Sequence, residues 1–302
     1  MTAISKIWSN PMRRSEVLTA YLFLLPTLLG FVIFIVGPVI VSVGLSAFNW
    51  NLITPPTFAG TGNYQHLLSD PRLGTVYLNT LKIAISTMAL KLSLGLFIAV
   101  LLDAKIHRWL RTFFRLSFFF PFVVSATAVA VMWSFLLQKD LGIVNWFLGL
   151  VGVAKLPWLN SSIWSPIAII LTDVWKDLGF YVVVFVGGLQ TISSDLYEAA
   201  EVDGSNRFQR FFYITLPLIS PTMLFLSVIG LINAVQIFAQ PYVLTMGGPG
   251  DATRTVVMYI FEQGFRFFNM GYASTIALSL FVVLFGLTLL QFLVSRRWVF
   301  YQ

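Results

Sequence analysis

The chain is 302 residues long, carries a net charge of +7 and contains no cysteine. Hydrophobic residues make up 58% of it and charged residues only 10%, against about 25% charged in an ordinary soluble domain. So few charges cannot cover a water-facing surface, which excludes a soluble enzyme, a disordered chain and a disulfide scaffold and leaves an integral membrane protein.

A helix needs about 20 mainly apolar residues to cross a bilayer core. Six segments meet that need, near 17–48, 76–102, 112–137, 163–190, 218–240 and 271–295. The expected fold class is therefore all-α, a polytopic membrane protein with six transmembrane helices. The first run is too long for a signal-peptide core and is read as retained. A barrel would show strands of alternating polarity, whereas Phe118–Val131 and Ile276–Phe292 are apolar on every side. Orientation follows from the basic residues. Lys6, Arg13, Arg14, Lys105, Arg108, Arg111, Arg115, Arg207, Arg210, Arg296 and Arg297 fall on one side, and only Arg72, Lys139, Lys155, Arg254 and Arg266 on the other. Both termini are expected in the cytoplasm. Clusters of this kind set topology and do not point to nucleic acid.

The outer loops cover roughly 49–75, 138–162 and 241–270, and the inner ones a basic turn near 103–111 and a loop at 191–217. None is large enough for a domain of its own, so residues 1–302 are read as one transmembrane domain. There is no phosphate loop of the Gly-x4-Gly-Lys-Ser/Thr type, no metal-spaced histidine pair and no Gly-x-Ser-x-Gly elbow. An energy-supplying domain is expected on another chain.

The loop at 191–217 reads TISSDLYEAAEVDGSNRFQRFFYITLP. Asp195 followed three residues later by Glu198 predicts a capping box and a helix start. Gly204 predicts a left-handed stop, and Ser205 a cap for a second helix leading to Pro217. Leu196, Ala199 and Ala200 share one face of the first helix, rimmed by Asp195, Glu198, Glu201 and Asp203. A small apolar face ringed by acids suits docking into a partner's groove. The acids weigh against a helix lying on the negative cytoplasmic leaflet.

Glu198-Ala199-Ala200, then Gly204, then Ile214-x-Leu216-Pro217 resembles the EAA loop of the importer permeases of the ATP-binding-cassette class. Gly60-x-Gly62-Asn63-Tyr64 and the Leu244-Thr245-Met246-Gly247-Gly248-Pro249 stretch are similar to the MalF-like half of carbohydrate importers, as is the closing Tyr301-Gln302. The resemblance implies a type I importer permease fold in a bacterial or archaeal cytoplasmic membrane. It implies that Glu198, Ala199, Ala200, Asp203, Gly204, Leu216 and Pro217 couple the chain to an ATPase. It further implies a MalG-like second permease, an ATPase dimer holding ATP and Mg, an extracytoplasmic solute-binding protein, and no cofactor on this chain. The implied cargo is a mono- or oligosaccharide, with glycerol-3-phosphate or a polyol as the alternative.

Two polar sets lie within the spans. Asp173, Lys176 and Asp177 sit in the fourth, where each charge costs several kcal/mol. They read either as a self-neutralising cluster or as carboxylates lining a hydrated cavity. By resemblance Asp173, Asp177 and Phe180 fall on sugar-lining positions. In the fifth span Asn233, Gln236 and Gln240 are spaced to share one helical face, and their amides suit a polyol, which both donates and accepts. Trp133 and Trp175 are candidates for stacking on a sugar ring. Lys91 is expected to pair across a subunit interface and Lys82 to snorkel outward. His66 and His107 are read as solvated loop residues. An intramembrane aspartate hydrolase is the reading from another class; Lys176 between the two acids argues for charge balance instead.

Overall fold

The computed structural model describes residues 11–103 and 108–300; Lys6, Lys105, His107 and the Tyr301-Gln302 end lie outside them. Apolar runs with no water to satisfy their backbone must fold as helices, and helices dominate. Helix α1 runs through Pro11–Phe31, a π turn at Val32–Val36 and Gly37–Leu45. After a two-residue pair of strands, β1 (Phe48–Asn49) and β2 (Thr57–Phe58), come α2 (Gly62–Ser69), α3 (Pro71–Asp103), α4 (Arg108–Val123), α5 (Ala126–Leu136) and α6 (Ile143–Leu150). Then follow α7 (Trp164–Leu189), α8 (Ser194–Val202) and α9, which continues from Arg207–Arg210 through a π turn at Phe211–Thr215 to Leu216–Leu218. The chain ends with α10 (Ser220–Val235), α11 (Ala239–Thr245), α12 (Val256–Phe261) and α13 (Met270–Ser295).

Ser15–Leu45, Pro71–Leu102 and Met270–Ser295 are each long and apolar enough to cross a membrane. Two predicted spans are not straight. The 112–137 segment breaks at Val124-Ser125, where α4 and α5 meet at 106°. The 218–240 segment starts at a 61° bend between α9 and α10 and stops at Gln236, so α11 is a separate helix. The 26-residue α7 carries Asp173, Lys176 and Asp177 in its middle.

The chain divides into two compact units, one of residues up to Leu68 with Gln263–Leu278, the other of Ser69–Glu262 with Ser279 onward. In the first, β1 and β2 pair with Phe48 opposite Phe58. Asn63 Nδ2 clips the turn by donating to the carbonyls of Ser46 at 2.9 Å and Phe48 at 3.0 Å. Tyr64 OH bonds Ser46 Oγ at 2.7 Å, and the start of α13 closes on the same strand through Met270 N–H to Trp50 O at 2.9 Å. The Gly-x-Gly-Asn-Tyr stretch thus has a local structural task. His66 is exposed, as expected from the sequence, but it lies on α2 and not in a loop, and it stacks on Tyr272 with ring centres 4.1 Å apart.

In the second unit α3, α4 and α10 pack around α7. Its core holds Val182, Phe185, Val186, Leu96, Ala99, Ile219 and Leu226. Close helix approach sets the geometry at Gly179, where an added Cβ would run into the backbone of Phe118 and Phe119 on α4. Gly187, two turns on, faces open space. Gly179→Ala should therefore lower the thermal midpoint of the detergent-solubilised protein, at a cost of about 1–3 kcal/mol. Gly187→Ala should leave it unchanged or raise it, by up to about 1 kcal/mol. Equal midpoints for the two variants would remove the close contact as a determinant of the bundle.

Candidate functional site

The 191–217 segment forms the predicted helix, glycine corner and second helix. Its caps differ from the expected ones. Ser193, not Asp195, caps α8, taking the Asp195 N–H at 3.3 Å; Asp195 lies in the first turn, where its charge meets the helix dipole. Gly204 adopts φ +77° as expected. The second cap is Asn206, not Ser205: Asn206 Oδ1 accepts from Gln209 N at 2.9 Å, and Asn206 N–H donates to Gln209 Oε1 at 2.8 Å. Ser205 instead donates back to Ala200 O at 2.6 Å and tightens the corner.

Helix α8 is pinned from one side only. Tyr197 OH bonds Thr215 Oγ1 at 2.9 Å, and Glu201 pairs with Arg210 at 2.8 Å. At 100° per residue these anchors leave Asp195, Leu196, Glu198, Ala199 and Val202 on the outward side, and all five are exposed. Val202 is 88% exposed. Asp203 and Gly204 are exposed and Ala200 is half-buried at the edge. Leu216 and Pro217 are half-buried, and Leu216 packs on the Phe185 core. The predicted coupling set thus separates into an exposed acid-and-alanine surface and its internal anchor.

The charged cluster takes the self-neutralising form, completed by a lysine from another helix. Lys91 of α3, expected to pair across a subunit interface, is buried within this chain. Its Nζ lies 2.7 Å from Asp173 Oδ2 and 2.8 Å from Asp177 Oδ2. Lys176 pairs with Asp177 alone, at 2.9 Å. Asp173 takes a further bond from Gln240 Nε2 at 3.2 Å, which brings in α11. Two acids and two ammonium groups balance to zero, as burial in a low-dielectric interior demands. Carboxylates clamped on one shared ammonium leave no free acid–base pair for hydrolysis. Phe180, half-buried, stacks on Phe122 at 5.1 Å. Trp133 and Trp175 meet edge to face at 5.7 Å, with Trp175 exposed.

The fifth-span amides do not form one stripe. Because α10 ends at Val235, Gln240 belongs to α11 and is buried against Asp173. Asn233 and Gln236 remain exposed near the end of α10. They are the accessible polar members of the predicted substrate set.

The turn after α11 was not foreseen in its detail. Met246, Gly247, Asp251 and Gly250 all take positive φ. Arg254 holds the turn by pairing with Asp251 at 2.6 Å and with buried Glu262. Thr253 Oγ1 bonds Thr245 Oγ1 at 2.7 Å and donates to Gly248 O at 2.9 Å. Helix α12, capped by Thr255, packs inward: Val256 N–H donates to Thr80 Oγ1 on α3 at 2.9 Å.

The Lys91 clamp generates a sharp expectation. Removing one partner of a buried ion pair costs about 3–5 kcal/mol. Lys91→Met should collapse the yield of folded protein on size-exclusion chromatography, and adding Asp173→Asn, which leaves Asp177 with Lys176, should restore most of it. Wild-type yield for Lys91→Met alone would show that the clamp is dispensable.

Comparison with known proteins agrees with this architecture. The chain is 34% identical over 278 residues to the sulfoquinovosyl glycerol transport system permease protein SmoG of Agrobacterium fabrum, covering 91% of this chain and 90% of that one. It is 31% identical over 289 residues to the trehalose/maltose transport system permease protein MalF of Thermococcus litoralis, covering 95% and 97%. A crystal structure of a bacterial ABC transporter involved in the import of the acidic polysaccharide alginate contains a chain that superposes with a TM-score of 0.82 at 25% identity, covering 97% of this chain and 99% of that one. Residues 91–299 match the family model for the binding-protein-dependent transport system inner membrane component. The chain is a membrane-embedded permease subunit of a sugar ABC importer and belongs to the binding-protein-dependent transport system inner membrane component family.

Proposed function

We propose that this permease translocates a mono- or oligosaccharide by alternating access, driven by ATP hydrolysis on a separate ATPase dimer. The exposed, acid-rimmed face of α8 carries this reading. A nine-residue helix fixed from behind by Tyr197 and Glu201, with Glu198 and Ala199 facing out, has the form of a knuckle seated in a groove of another protein. Ala199 lets the groove approach, and Glu198 and Asp203 offer charge-assisted contacts at its rim. Gly204 gives the corner its angle, while Leu216 and Pro217 root it in the bundle.

Six spans with both termini in the cytoplasm follow from the basic-residue bias and place α8 on the ATPase side. The bent pairs α4–α5 and α9–α10 and the charged α7 then supply three of the six. Residues 1–302 act as one transmembrane domain, paired with a second permease. A solute-binding protein delivers the sugar from outside; a related alginate transporter is described in complex with an alginate pentasaccharide-bound periplasmic protein. No cofactor is assigned to this chain, and ATP and Mg belong to the ATPase. A sugar cargo is favoured by the relatives, whose described cargoes are sulfoquinovosyl glycerol, trehalose or maltose, and lactose.

For the substrate path we assign direct contacts to Asn233 and Gln236, whose exposed amides match hydroxyls that donate and accept. Asp173, Asp177 and Gln240 position the neighbouring helices through Lys91, and Phe180 forms an apolar wall with Phe122.

Two tests separate these roles. In the reconstituted importer, Glu198→Lys and Gly204→Val should cut sugar uptake about tenfold or more, since 1.4 kcal/mol of lost coupling suffices, while membrane insertion stays normal. Full uptake in both variants argues against the knuckle. Asn233→Ala and Gln236→Ala should raise the sugar concentration for half-maximal uptake about five- to tenfold, a loss of about 1 kcal/mol per hydrogen bond, without lowering protein yield. Unchanged half-saturation in the double variant would move the substrate path elsewhere.

A further inference from the structure

Two lysines lie on α3, nine residues apart. At 100° per residue they point to opposite faces of the helix and stand about 13 Å apart along its axis. Lys91 is consumed by the Asp173–Asp177 clamp. Lys82 cannot reach that clamp, and among the described residues no carboxylate lies within ion-pairing distance of it.

Lys82 instead lines a cavity of about 290 Å³ with Asn79, Ile83, Ser162, Pro166 and Ala252. That volume is at the lower end of small-ligand sites, about 300 Å³. Its walls are fixed from three elements. Asn79 lies one turn before Lys82 on α3 and donates through Nδ2 to Asp251 O at 2.6 Å, holding the loop that carries Ala252. Pro166 belongs to the first turn of α7, and Ser162 just precedes that helix. The acid next to Ala252, Asp251, is already committed: it pairs with Arg254 at 2.6 Å and Arg72 at 3.4 Å. The cavity therefore presents an ammonium and a hydroxyl as donors, with no anion of the chain's own to receive them. Lys91, on the same helix, shows what full neutralisation of such a group looks like.

We infer that the Lys82 cavity is a binding site for an oxyanion, with Lys82 Nζ as the counter-charge and Ser162 Oγ as an added donor. The oxyanion is carried either by an acidic sugar, as a carboxylate or sulfonate, or by a membrane lipid, as a headgroup phosphate. This deepens the sugar-importer reading and rests on it for the outward position of Lys82, but the site itself is tested by binding alone.

The experiment uses the full chain purified in detergent with its co-expressed partner subunits. Glucuronate, with glucose as its neutral twin, probes the sugar source by thermal shift. Phosphatidylglycerol against phosphatidylcholine, in nanodiscs and in native mass spectra, probes the lipid source. The expected result is stabilisation by one charged member over its neutral or zwitterionic counterpart, weakened about tenfold in Lys82→Gln and largely retained in Lys82→Arg. Selective loss of the glucuronate effect assigns a sugar oxyanion; selective loss of the phosphatidylglycerol effect assigns a lipid phosphate. Absence of both effects in the wild type, or effects that persist undiminished in Lys82→Gln, overturns the site. Because Lys82 is exposed, its variants should elute as the wild type does, and elution profiles check this. A failed site leaves the uptake defects of the Glu198 and Gly204 variants untouched, and failed coupling leaves this binding readout intact.

Discussion

One buried ammonium group organises the membrane core. Lys91 on α3 is gripped by two carboxylates that stand four residues apart on α7, and hence on one face of it. Between helices in lipid there is little hydrophobic drive, so association relies on close packing and polar contacts. The clamp supplies the polar part, and Gly95 the packing, since its missing side chain lets Tyr181 and Phe185 of α7 come against α3. Gln240 then ties α11 to one of these carboxylates, Asp173. Three helices far apart in sequence are thus registered on one another around a single charge: a slip of one turn in α3 or α7 would strand a bare ion, and one in α11 would lose the amide bond to Asp173.

The clamp also sorts the polar inventory of the bundle. Groups that a sequence reading would pool as cavity lining fall into two kinds. Asp173, Asp177 and Gln240 have their bonding capacity committed to partners within the chain. Asn233 and Gln236 are exposed near the end of α10. A transported sugar must be released as readily as it is held, which suits neutral amides better than a carboxylate already bound to an ammonium. Under the proposed function, the charge balance of the clamp leaves these four residues with no net charge beside the path.

The membrane class, three long apolar helices and the glycine corner at 204 were all legible in the sequence, because each rests on local chemistry: apolar length and a residue able to take positive φ. The EAA pattern falls on α8. The breaks inside two spans were not legible. Val124-Ser125 and Gln236 carry no proline themselves, and Pro121 falls within the last turn of α4 rather than at the break, so the residues at hand mark neither interruption. The lost helical register after Gln236 is what separated Gln240 from Asn233. The partners of Lys91 are not legible, because pairing across 82 residues of sequence leaves no local trace. A charge count carries part of the signal: two acids and one lysine on the fourth span lack one cation, and Lys82 and Lys91 are the membrane lysines left over, of which Lys91 pairs with the acids. The caps at Ser193 and Asn206 were each missed by one or two residues, where several capping-competent side chains compete for the same N–H groups.

Under the proposed function, the bend between α9 and α10 decides how movement at α8 would travel. It has the look of a hinge, yet it is braced. Ile219 is fully buried; Ser220 Oγ donates to Pro217 O at 2.5 Å and accepts the Phe300 N–H at 3.0 Å. Gly188 of α7 sits so close to Ile219 and Thr222 that a side chain there would collide with both. A soft joint needs few buried contacts and solvent-exposed bonds, and this one has neither feature. Tyr197 and Glu201 fix α8 to α9, the brace fixes α9 to α10, and Gly188 presses the pair onto α7, which the clamp holds to α3. A push on the knuckle is therefore carried by α7 and α3 as well as by α10, which bears Asn233 and ends at Gln236.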